Sequence, residues 1–392
     1  MTVRLAVIAT VYRHLSHAQH FADRFLVGYP YEGAWHHPDV EVVSLYVDQH
    51  PVGDQSADRA REFGFGIYPT IAQALRAGGE RLAVDGVLII AEHGDYEINE
   101  LGQMLYPRFE WFQECVAVFE AEGRAVPVYN DKHLSYDYAK AKKMVDDAER
   151  LNFPLMAGSS VPVTWRLPDL ELEHGCVIEE ALVIGYGGSD PMDYHALEGL
   201  QCMIERRRGG ETGVAAVQML EGAAVWSALE EGRWSRQLLE AALSRGDSPQ
   251  GLTVEDGRTQ DLLGSGELQR LVEQPTAYLI EFRDGLQATL LMLNFAIADY
   301  CFAARLQGSQ APVSCQFFLT QAPNVNYSAS LVAKIDEMFQ TGRAPIPARR
   351  TLAVSGYLEA CLKSHHQGGV RLATPHLSAT YMAPLESHHA RQ

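Results

Sequence analysis

Histidines and carboxylates recur at the ends of apolar runs in the first half of this sequence. Six histidines have such positions. His14, His17 and His20 follow the first apolar run, His93 and His133 each follow a later run, and His195 lies near the start of a helical pattern. The neighbouring carboxylates are Glu92, Asp95 and Asp131. Mixed imidazole and carboxylate groups bind Zn²⁺, Mn²⁺ or Fe²⁺, which would polarise a carbonyl or activate water. One interpretation is a metal set containing His14, His17 and His93, and the other is a group of capped or hydrogen-bonded histidines that bind no metal.

A compact polar segment follows the apolar run "VDGVLIIA". It reads "EHGDYEINELGQMLYPR" and occupies positions 92–108. A segment that begins at the carboxyl end of a buried parallel strand lies where α/β folds bind ligands. We expect a substrate-facing loop with His93 and Asp95 in the cleft. The alternative is a capped turn that only precedes a helix.

Strand and helix patterns alternate up to about position 158. Short apolar runs such as "RLAVIAT", "VEVVSLYVD" and "VDGVLIIA" are separated by segments with apolar residues at helical spacing, some ending in glycine. This alternation predicts a doubly wound, Rossmann-like parallel sheet over residues 1–158. Such a sheet brings the residues that follow its strands to one edge.

The pattern changes over residues 159–392, where strand patterns are separated by fewer helices. It predicts a second, substrate-binding α+β unit with a mostly antiparallel sheet. At the junction, Arg166 could bind a carboxylate or a sugar hydroxyl, or belong to a structural linker. The polar segment 245–267 predicts a loop or hairpin excursion. A broad sheet here would favour face-to-face association, and we expect a homo-oligomer.

Four stretches, in order, resemble the Gfo/Idh/MocA family of sugar and cyclitol oxidoreductases. They are "SLYVDQHP" with the following "ADRAREFGFGIYPTIAQAL", then "VDGVLIIAEHGDYE", "VYNDKHLSYDYAKAKKMVDDAERLNFPLMAGSS" and "GGSDPMDYHALEGLQCM". The third resembles the family's Glu-Lys-Pro motif, and the fourth resembles its turn before a helix with a catalytic His. The resemblance implies an NAD(P)-binding Rossmann domain joined to an α/β substrate domain.

The resemblance also implies roles for single residues. Lys132 matches the motif's lysine, Asp131 its glutamate and His133, a predicted substrate contact, its proline. His195 matches the acid-base histidine, and an ammonium such as that of Lys132 polarises a hydroxyl whose proton a histidine accepts. The remaining residues given roles by position are Asp48 at the adenine ribose, Glu92 and His93 beside the nicotinamide, and Asp193 and Tyr194 at the substrate.

The loop after the first strand departs from the family. Its Gly-x-Gly-x-x-Gly motif permits a tight turn and close approach of the backbone to the pyrophosphate. This sequence has no glycine between Met1 and Val27. Thr10, Tyr12 and Arg13 are the residues there that would contact a cofactor, and Arg13 or a helix capped by Ser16 could still hold a phosphate. The missing glycines argue against the usual cofactor pose.

Composition and charge exclude several classes of protein. The 392 residues are 47% apolar and 21% charged, with a net charge of −18, so neither nucleic acid nor an anionic membrane surface is an expected partner. No stretch approaches the roughly 20 apolar residues that span a bilayer. Six cysteines without a CxxC pair indicate buried thiols in a reducing compartment. With no secretory signal visible, we expect a cytoplasmic protein with a small carbohydrate-like substrate.

Two functions fit this sequence. The first is an NAD(P)-linked oxidoreductase of a sugar, polyol or sugar acid, with Lys132 and His195 at the reacting carbon. The second is a non-redox enzyme on the same scaffold, which hydrolyses, eliminates, isomerises or cleaves by metal-assisted or acid-base chemistry. Fold alone does not distinguish them.

Overall fold

A computed structural model describes residues 2–247, 261–320 and 325–391 of the chain. The strands in these ranges are β1 (Val3–Ala9), β2 (Tyr29–Tyr31), β3 (Ala34–His36), β4 (Val40–Val47), β5 (Gly66–Ile67), β6 (Gly86–Ile90), β7 (Val128–Asp131), β8 (Leu155–Gly158), β9 (Trp165–Leu167), β10 (Ile178–Gly185), β11 (Val214–Glu221), β12 (Thr276–Phe282), β13 (Gln287–Met292), β14 (Tyr300–Leu306), β15 (Val313–Phe318) and β16 (Leu372–Ala373). The helices are α1 (His17–Val27), α2 (Ser56–Phe63), α3 (Ile71–Leu75), α4 (Arg108–Glu122), α5 (Tyr138–Arg150), a 3₁₀ turn (Val161–Val163), α6 (Pro191–Ile204), α7 (Ala223–Glu230), α8 (Arg236–Leu243), α9 (Glu267–Leu271), α10 (Tyr327–Thr341) and α11 (Ala348–His366).

The first sheet has six strands in the order β5-β4-β1-β6-β7-β8, and every pairing is parallel. The strand β6 is buried along its whole length, as expected of a parallel strand covered by helices on both faces. The order reverses between β1 and β6, which is where such sheets bind ligands. The predicted Rossmann-like sheet is confirmed.

The second sheet has eight strands in the order β16-β11-β12-β13-β10-β14-β15-β9. Only β10 and β13 run parallel, and the other pairs are antiparallel. This confirms the predicted α+β architecture with a mostly antiparallel sheet. The polar segment predicted as a loop overlaps residues 248–260, which lie outside the described residues.

Helices cover both faces of the second sheet. One face packs against α6 and α11, and the other packs against α7, α8 and α9, with the largely buried Trp234 and Leu238 in that second core. Alternating residues of β10, such as Leu182 and Val183, belong to the two cores in turn, as the period of a strand requires. Within the described residues, helices cover both faces of this sheet, so its strands are not exposed for the face-to-face association that its breadth suggests. The homo-oligomer stays a prediction.

Local signals account for the ends of several helices. Ser16 caps α1 by accepting the amide of Gln19, and Thr70 caps α3 by accepting the amide of Gln73. Gly64 ends α2 in the left-handed conformation, as its position in the sequence predicts. The caps at Ser16 and Thr70 fix where the loops after β1 and β5 end at the carboxyl edge of the first sheet, and Gly64 fixes the turn into β5 at the opposite edge.

The six cysteines are all unpaired, and five of them are buried, in line with the expected buried thiols. None of the helices in the described ranges combines the length and apolar character needed to cross a membrane.

Candidate functional site

A cleft of about 470 Å³ opens between the carboxyl edge of the first sheet and the start of α6. Its lining includes the titratable side chains His17, Glu92, His93, Asp131, Lys132 and His195. Four of these, Glu92, His93, Asp131 and Lys132, belong to or closely follow β6 and β7. The edge of the parallel sheet therefore gathers the predicted catalytic residues Lys132, His195, His93 and Asp131.

The pair Lys132 and His195 lies at the centre of this cleft. The Lys132 Nζ is 2.5 Å from the Nε2 of His195; the Lys132 side chain is buried and that of His195 is partly buried. Lys132 has a φ of 64°, and its amide donates to the carbonyl of Gly158 at 3.1 Å, which sets the direction of its side chain. Burial and then the charge of Lys132 lower the pKa of His195 well below its usual value. His195 is therefore a neutral imidazole that accepts a hydrogen bond from Lys132.

A buried chain of polar groups holds Glu92 beside this pair. The Arg108 guanidinium donates to Glu92 Oε2 at 2.6 Å and to His133 Nδ1 at 3.2 Å. Glu92 Oε1 lies 4.0 Å from Lys132 Nζ, and His133 Nε2 lies 3.7 Å from Asp190. Burial and the Arg108 charge lower the pKa of His133, so its ring is neutral and accepts from the guanidinium. Arg108 thus compensates Glu92 and fixes its carboxylate toward Lys132.

A second pair joins Asp131 and His17. The His17 Nδ1 lies 2.6 Å from Asp131 Oδ2, and the carboxylate is almost fully buried. Burial alone would raise the pKa of Asp131, but His17, Lys132 and Arg108 outweigh it and hold the pKa below its usual value. A carboxylate on one ring nitrogen orients the imidazole and leaves Nε2 of His17 for a ligand.

The rings of His20 and His93 lie beside His17, at centroid distances of 5.8 Å and 5.2 Å. Burial, reinforced by the neighbouring His17, lowers the pKa of His20 to about 3 and that of His93 to about 4. Four buried atoms at this site have no hydrogen-bond partner within the described residues: His20 Nε2, His93 Nε2, Asp131 Oδ1 and His195 Nδ1. Buried polar groups are rarely left unpaired, so these atoms mark positions in the cleft where a bound molecule or water would supply hydrogen-bond partners.

The low pKa values of His20 and His93 make the stability of the protein dependent on pH. Between the ordinary histidine pKa of 6.5 and about 4, the unfolded chain binds protons at these positions that the folded chain does not. The free energy of unfolding should fall as pH decreases through this window, by up to about 1.4 kcal/mol per pH unit for each ring. Urea unfolding of the wild type and His93→Gln between pH 7 and 4.5 tests this, because the variant should show the shallower dependence. Equal slopes would contradict it.

The predicted metal set is not supported. His14 is exposed and does not line the cleft, whereas His17 is engaged by Asp131. Across residues 2–247, 261–320 and 325–391, no group of three or more His, Cys, Asp or Glu side chains is arranged to hold a metal ion. The hydrogen bond between His17 and Asp131 accounts for the position of His17 without a metal ion.

The predicted cofactor residues divide between two places. Glu92 lines the cleft, but Thr10, Tyr12, Arg13 and Asp48 do not. Thr10 and Tyr12 are buried at the end of β1, while Asp48 is exposed after β4.

The predicted substrate residues lie outside the cleft lining. Asp95 is exposed next to Gln49, and His133 is buried behind Lys132. Arg166 is buried on β9 and donates to the carbonyl of Leu170 at 3.0 Å. Asp193 accepts from the Tyr278 hydroxyl and the Asp190 amide as part of the N-terminal cap of α6. Tyr194 packs its buried ring on His133. These positions support structural roles for His133, Arg166, Asp193 and Tyr194.

The structure adds residues that were not singled out from the sequence. Tyr106, Ser159, Ser160 and Tyr327 line the cleft. Tyr106 lies near the end of the polar segment 92–108, which the sequence predicts to face a substrate, so its presence in the cleft agrees with that prediction. Ser159 and Ser160 begin the segment 159–166 at the junction of the two predicted domains, in which Arg166 was the residue predicted to contact a substrate. Tyr327 begins α10 and gave no signal, because its approach to the cleft depends on tertiary packing.

Glu198 on α6 fixes the position of Ser159. Its carboxylate accepts the Ser159 amide at 2.6 Å, and burial raises its pKa to about 7. Gly158 has a φ of 129°, and a Cβ there would lie 2.6 Å from Glu198 Oε1. The close packing of β8 on α6 therefore requires glycine at this position.

Comparison with known proteins was made at three levels. No family model and no curated protein sequence matches the chain. Among solved structures, GenD2 from gentamicin A biosynthesis in complex with NAD is 14% identical, with a TM-score of 0.59 over 95% of this chain and 96% of that chain. Myo-inositol dehydrogenase from Lactobacillus casei in complex with NAD(H) and myo-inositol is 10% identical, with a TM-score of 0.56 over 95% and 97%. A probable dehydrogenase from Thermotoga maritima is 11% identical, with a TM-score of 0.55 over 96% and 100%. At these identities the comparisons establish that this chain shares its fold with these three proteins.

Proposed function

We propose that this chain is an enzyme that acts on a small polyhydroxylated substrate, a polyol, sugar or sugar acid, bound in the cleft. The contact between Lys132 and His195 carries this proposal. A substrate hydroxyl that enters between the two side chains is polarised by the Lys132 ammonium and gives its proton to Nε2 of the neutral His195, the nitrogen that accepts from Lys132 when no hydroxyl is there. This proton transfer is the part of a dehydrogenase reaction that protein side chains perform.

The substrate class is supported by the unpartnered atoms of the cleft. Hydroxyl groups can donate to Asp131 Oδ1 and accept from or donate to the free ring nitrogens of His20, His93 and His195. The fold points the same way, since one solved structure that shares it holds myo-inositol. The hydroxyls of such a molecule would satisfy groups that otherwise stay unpaired.

Two reactions follow from this machinery. Oxidation of the substrate hydroxyl with hydride transfer to NAD(P) is favoured by the NAD found in two solved structures of the fold. Proton transfer without net oxidation is favoured by the packing at the end of β1, where Tyr12 is buried and its carbonyl accepts the Gln55 amide. A nicotinamide, when bound, would supply a hydride acceptor.

Binding of a panel of polyols, aldoses and sugar acids by calorimetry tests the proposed substrate class. We expect a member of the panel to bind the wild type and to bind Lys132→Met at least about tenfold more weakly, because the ammonium no longer contacts a hydroxyl. Lys140→Met is the matched control, since Lys140 pairs with Glu110 on the surface and should bind as the wild type does. No binding by any panel member, or equal binding by Lys132→Met, would contradict the proposal.

A further inference from the structure

The loop after β1 is closed onto the loop after β4. Arg13 and Asp54 form an antiparallel bridge, and the Gln55 amide donates to the Tyr12 carbonyl at 2.7 Å. Tyr12 is buried, and its hydroxyl donates to Asp23 at 2.6 Å. Arg59 of α2 in turn donates to both oxygens of Asp23, at 2.9 Å and 3.0 Å. The loop is therefore held in place by groups from both α1 and α2.

Four amides of this loop already have acceptors within the protein. Thr10 donates to the carbonyl of Ile90, Arg13 to the Ser16 hydroxyl, and Ser16 to the carbonyl of Arg13. Leu15 donates to the side chain of Gln19 at 3.2 Å. A pyrophosphate is bound by free backbone amides at a helix N-terminus, approached closely because glycines leave room. Here the amides of Thr10, Arg13, Leu15 and Ser16 are occupied, the Gln19 amide is capped by Ser16, and the buried Val11 and Tyr12 fill the turn.

The loops after β4 and β6 are joined across the end of β1, which lies between them in the sheet. Gln49 donates to the Asp95 carbonyl at 3.0 Å and accepts the Asp95 amide at 2.9 Å. Asp48 accepts from the hydroxyls of Tyr46 at 3.0 Å and Tyr96 at 2.7 Å, one on each carboxylate oxygen. The acid expected at the adenine ribose is thus engaged by two phenols, and these contacts cross the groove in which a dinucleotide would lie.

From these contacts we infer that this chain excludes NAD(P) from the pose that its fold uses, and that its reaction is redox-neutral. The residues around the end of β1 do not fit a dinucleotide, whereas the cleft beyond His93 is open and of the size of a small-molecule site. This inference rests on the proposed function. It replaces hydride transfer with the movement of a proton within one substrate molecule.

Two proton-handling groups in the cleft suit such a reaction. One is His195 with Lys132, and the other is His17 with Asp131, whose influence extends to the pKa of His195. One imidazole removes a proton from a hydroxyl-bearing carbon beside a carbonyl; the C–H electron pair forms the C=C bond, the C=O π pair moves onto oxygen, and that oxygen takes a proton from the Lys132 ammonium to give an enediol. The second imidazole, which starts the cycle protonated, gives its proton to the adjacent carbon, or to the opposite face of the same carbon, while the hydroxyl that becomes the new carbonyl returns a proton to the Lys132 amine. Exchange with water then resets the two imidazoles. The product is an isomer or epimer of the substrate, so no oxidant is consumed.

Titration of the purified protein with NADH and NADPH, followed by nicotinamide fluorescence, tests the exclusion. We expect no saturable signal up to about 1 mM of either nucleotide, while the Lactobacillus casei myo-inositol dehydrogenase serves as the positive control for the assay. Saturable binding of NADH or NADPH to this chain would overturn the inference and leave the proposed substrate class intact.

Proton exchange tests the reaction itself. The sugar or sugar acid that binds in calorimetry is incubated with the enzyme in D₂O without nucleotide, and its C–H signals are followed by NMR. We expect deuterium to replace the proton beside the carbonyl in the wild type, and at least about a hundredfold slower in both His17→Gln and His195→Gln. Reduction of NAD⁺ or NADP⁺ by the bound ligand, or a wild type that leaves every C–H signal unchanged, would overturn the inference.

Discussion

Replacing Glu205 with Gln is expected to lower the free energy of unfolding by about 3–5 kcal/mol. Glu205 follows α6 and accepts from Arg350 of α11 at 2.8 Å and 2.5 Å, with both side chains buried. The Tyr381 hydroxyl donates to the same carboxylate at 2.7 Å. Removing the negative charge leaves a buried guanidinium uncompensated, because Arg350 has no solvent to return to. The shift of the urea midpoint at unchanged slope measures the loss.

The adjacent residue on α11 provides a matched control. Arg349 makes a similar ion pair with Glu149, with a shortest distance of 2.6 Å, but both side chains are about half exposed. Glu149→Gln should therefore cost less than about 1 kcal/mol. If Glu205→Gln cost no more than Glu149→Gln, burial of the Arg350 pair would not determine its energy. The contrast matters for the site, because this pair fixes α6, the helix that carries His195, against α11.

The residues that meet at the carboxyl edge of the first sheet could be predicted from the sequence, because their meeting depends on a simple rule. Parallel strands end at one edge, so residues that follow different strands meet there without further information. This rule brings Glu92 and His93 after β6 together with Asp131 and Lys132 at the end of β7. The position of His195 came from the family resemblance, and the structure places its ring against Lys132.

The direction of single side chains could not be predicted in the same way. On α6, His195 faces the cleft, but Asp193 and Tyr194 turn into the core because successive helical residues differ by about 100°. The left-handed backbone of Lys132 likewise sends His133 inward, toward Arg108. Residues that are adjacent in the sequence are therefore predicted to share one site, whereas the backbone conformation directs their side chains to different sides.

Partnerships between loops were also beyond the sequence. The missing glycines indicate that the first loop has changed, but they do not show what replaced the phosphate site. The bridge of Arg13 to Asp54 and the pair of Gln49 and Asp95 join segments that are distant along the chain. Each partner is unremarkable alone, and only the fold brings the two together. Closure of the groove is therefore a property of tertiary structure.

Replacing His195 with Gln is expected to lower turnover of the substrate by about 10²–10⁴-fold, equivalent to about 3–5 kcal/mol of transition-state stabilisation. Glutamine keeps a hydrogen bond to Lys132 but accepts no proton, so substrate affinity should change little while kcat falls. His174→Gln is the control, because His174 is exposed, lies outside the cleft lining and hydrogen-bonds the Ala383 carbonyl.

The pH dependence of turnover separates proton transfer by His195 from a merely structural role. Burial and Lys132 hold the pKa of His195 well below 6.5, so the ring keeps its acceptor form when the pH decreases from 8 to 6.5. The kcat of the wild type should therefore not fall through protonation of His195 in this range, and its acidic limb should lie lower. An acidic limb centred near pH 6.5, or a His195→Gln enzyme that loses affinity instead of kcat, would assign the proton to another group. His17, held by Asp131 in the same cleft, is the residue that would then be tested in its place.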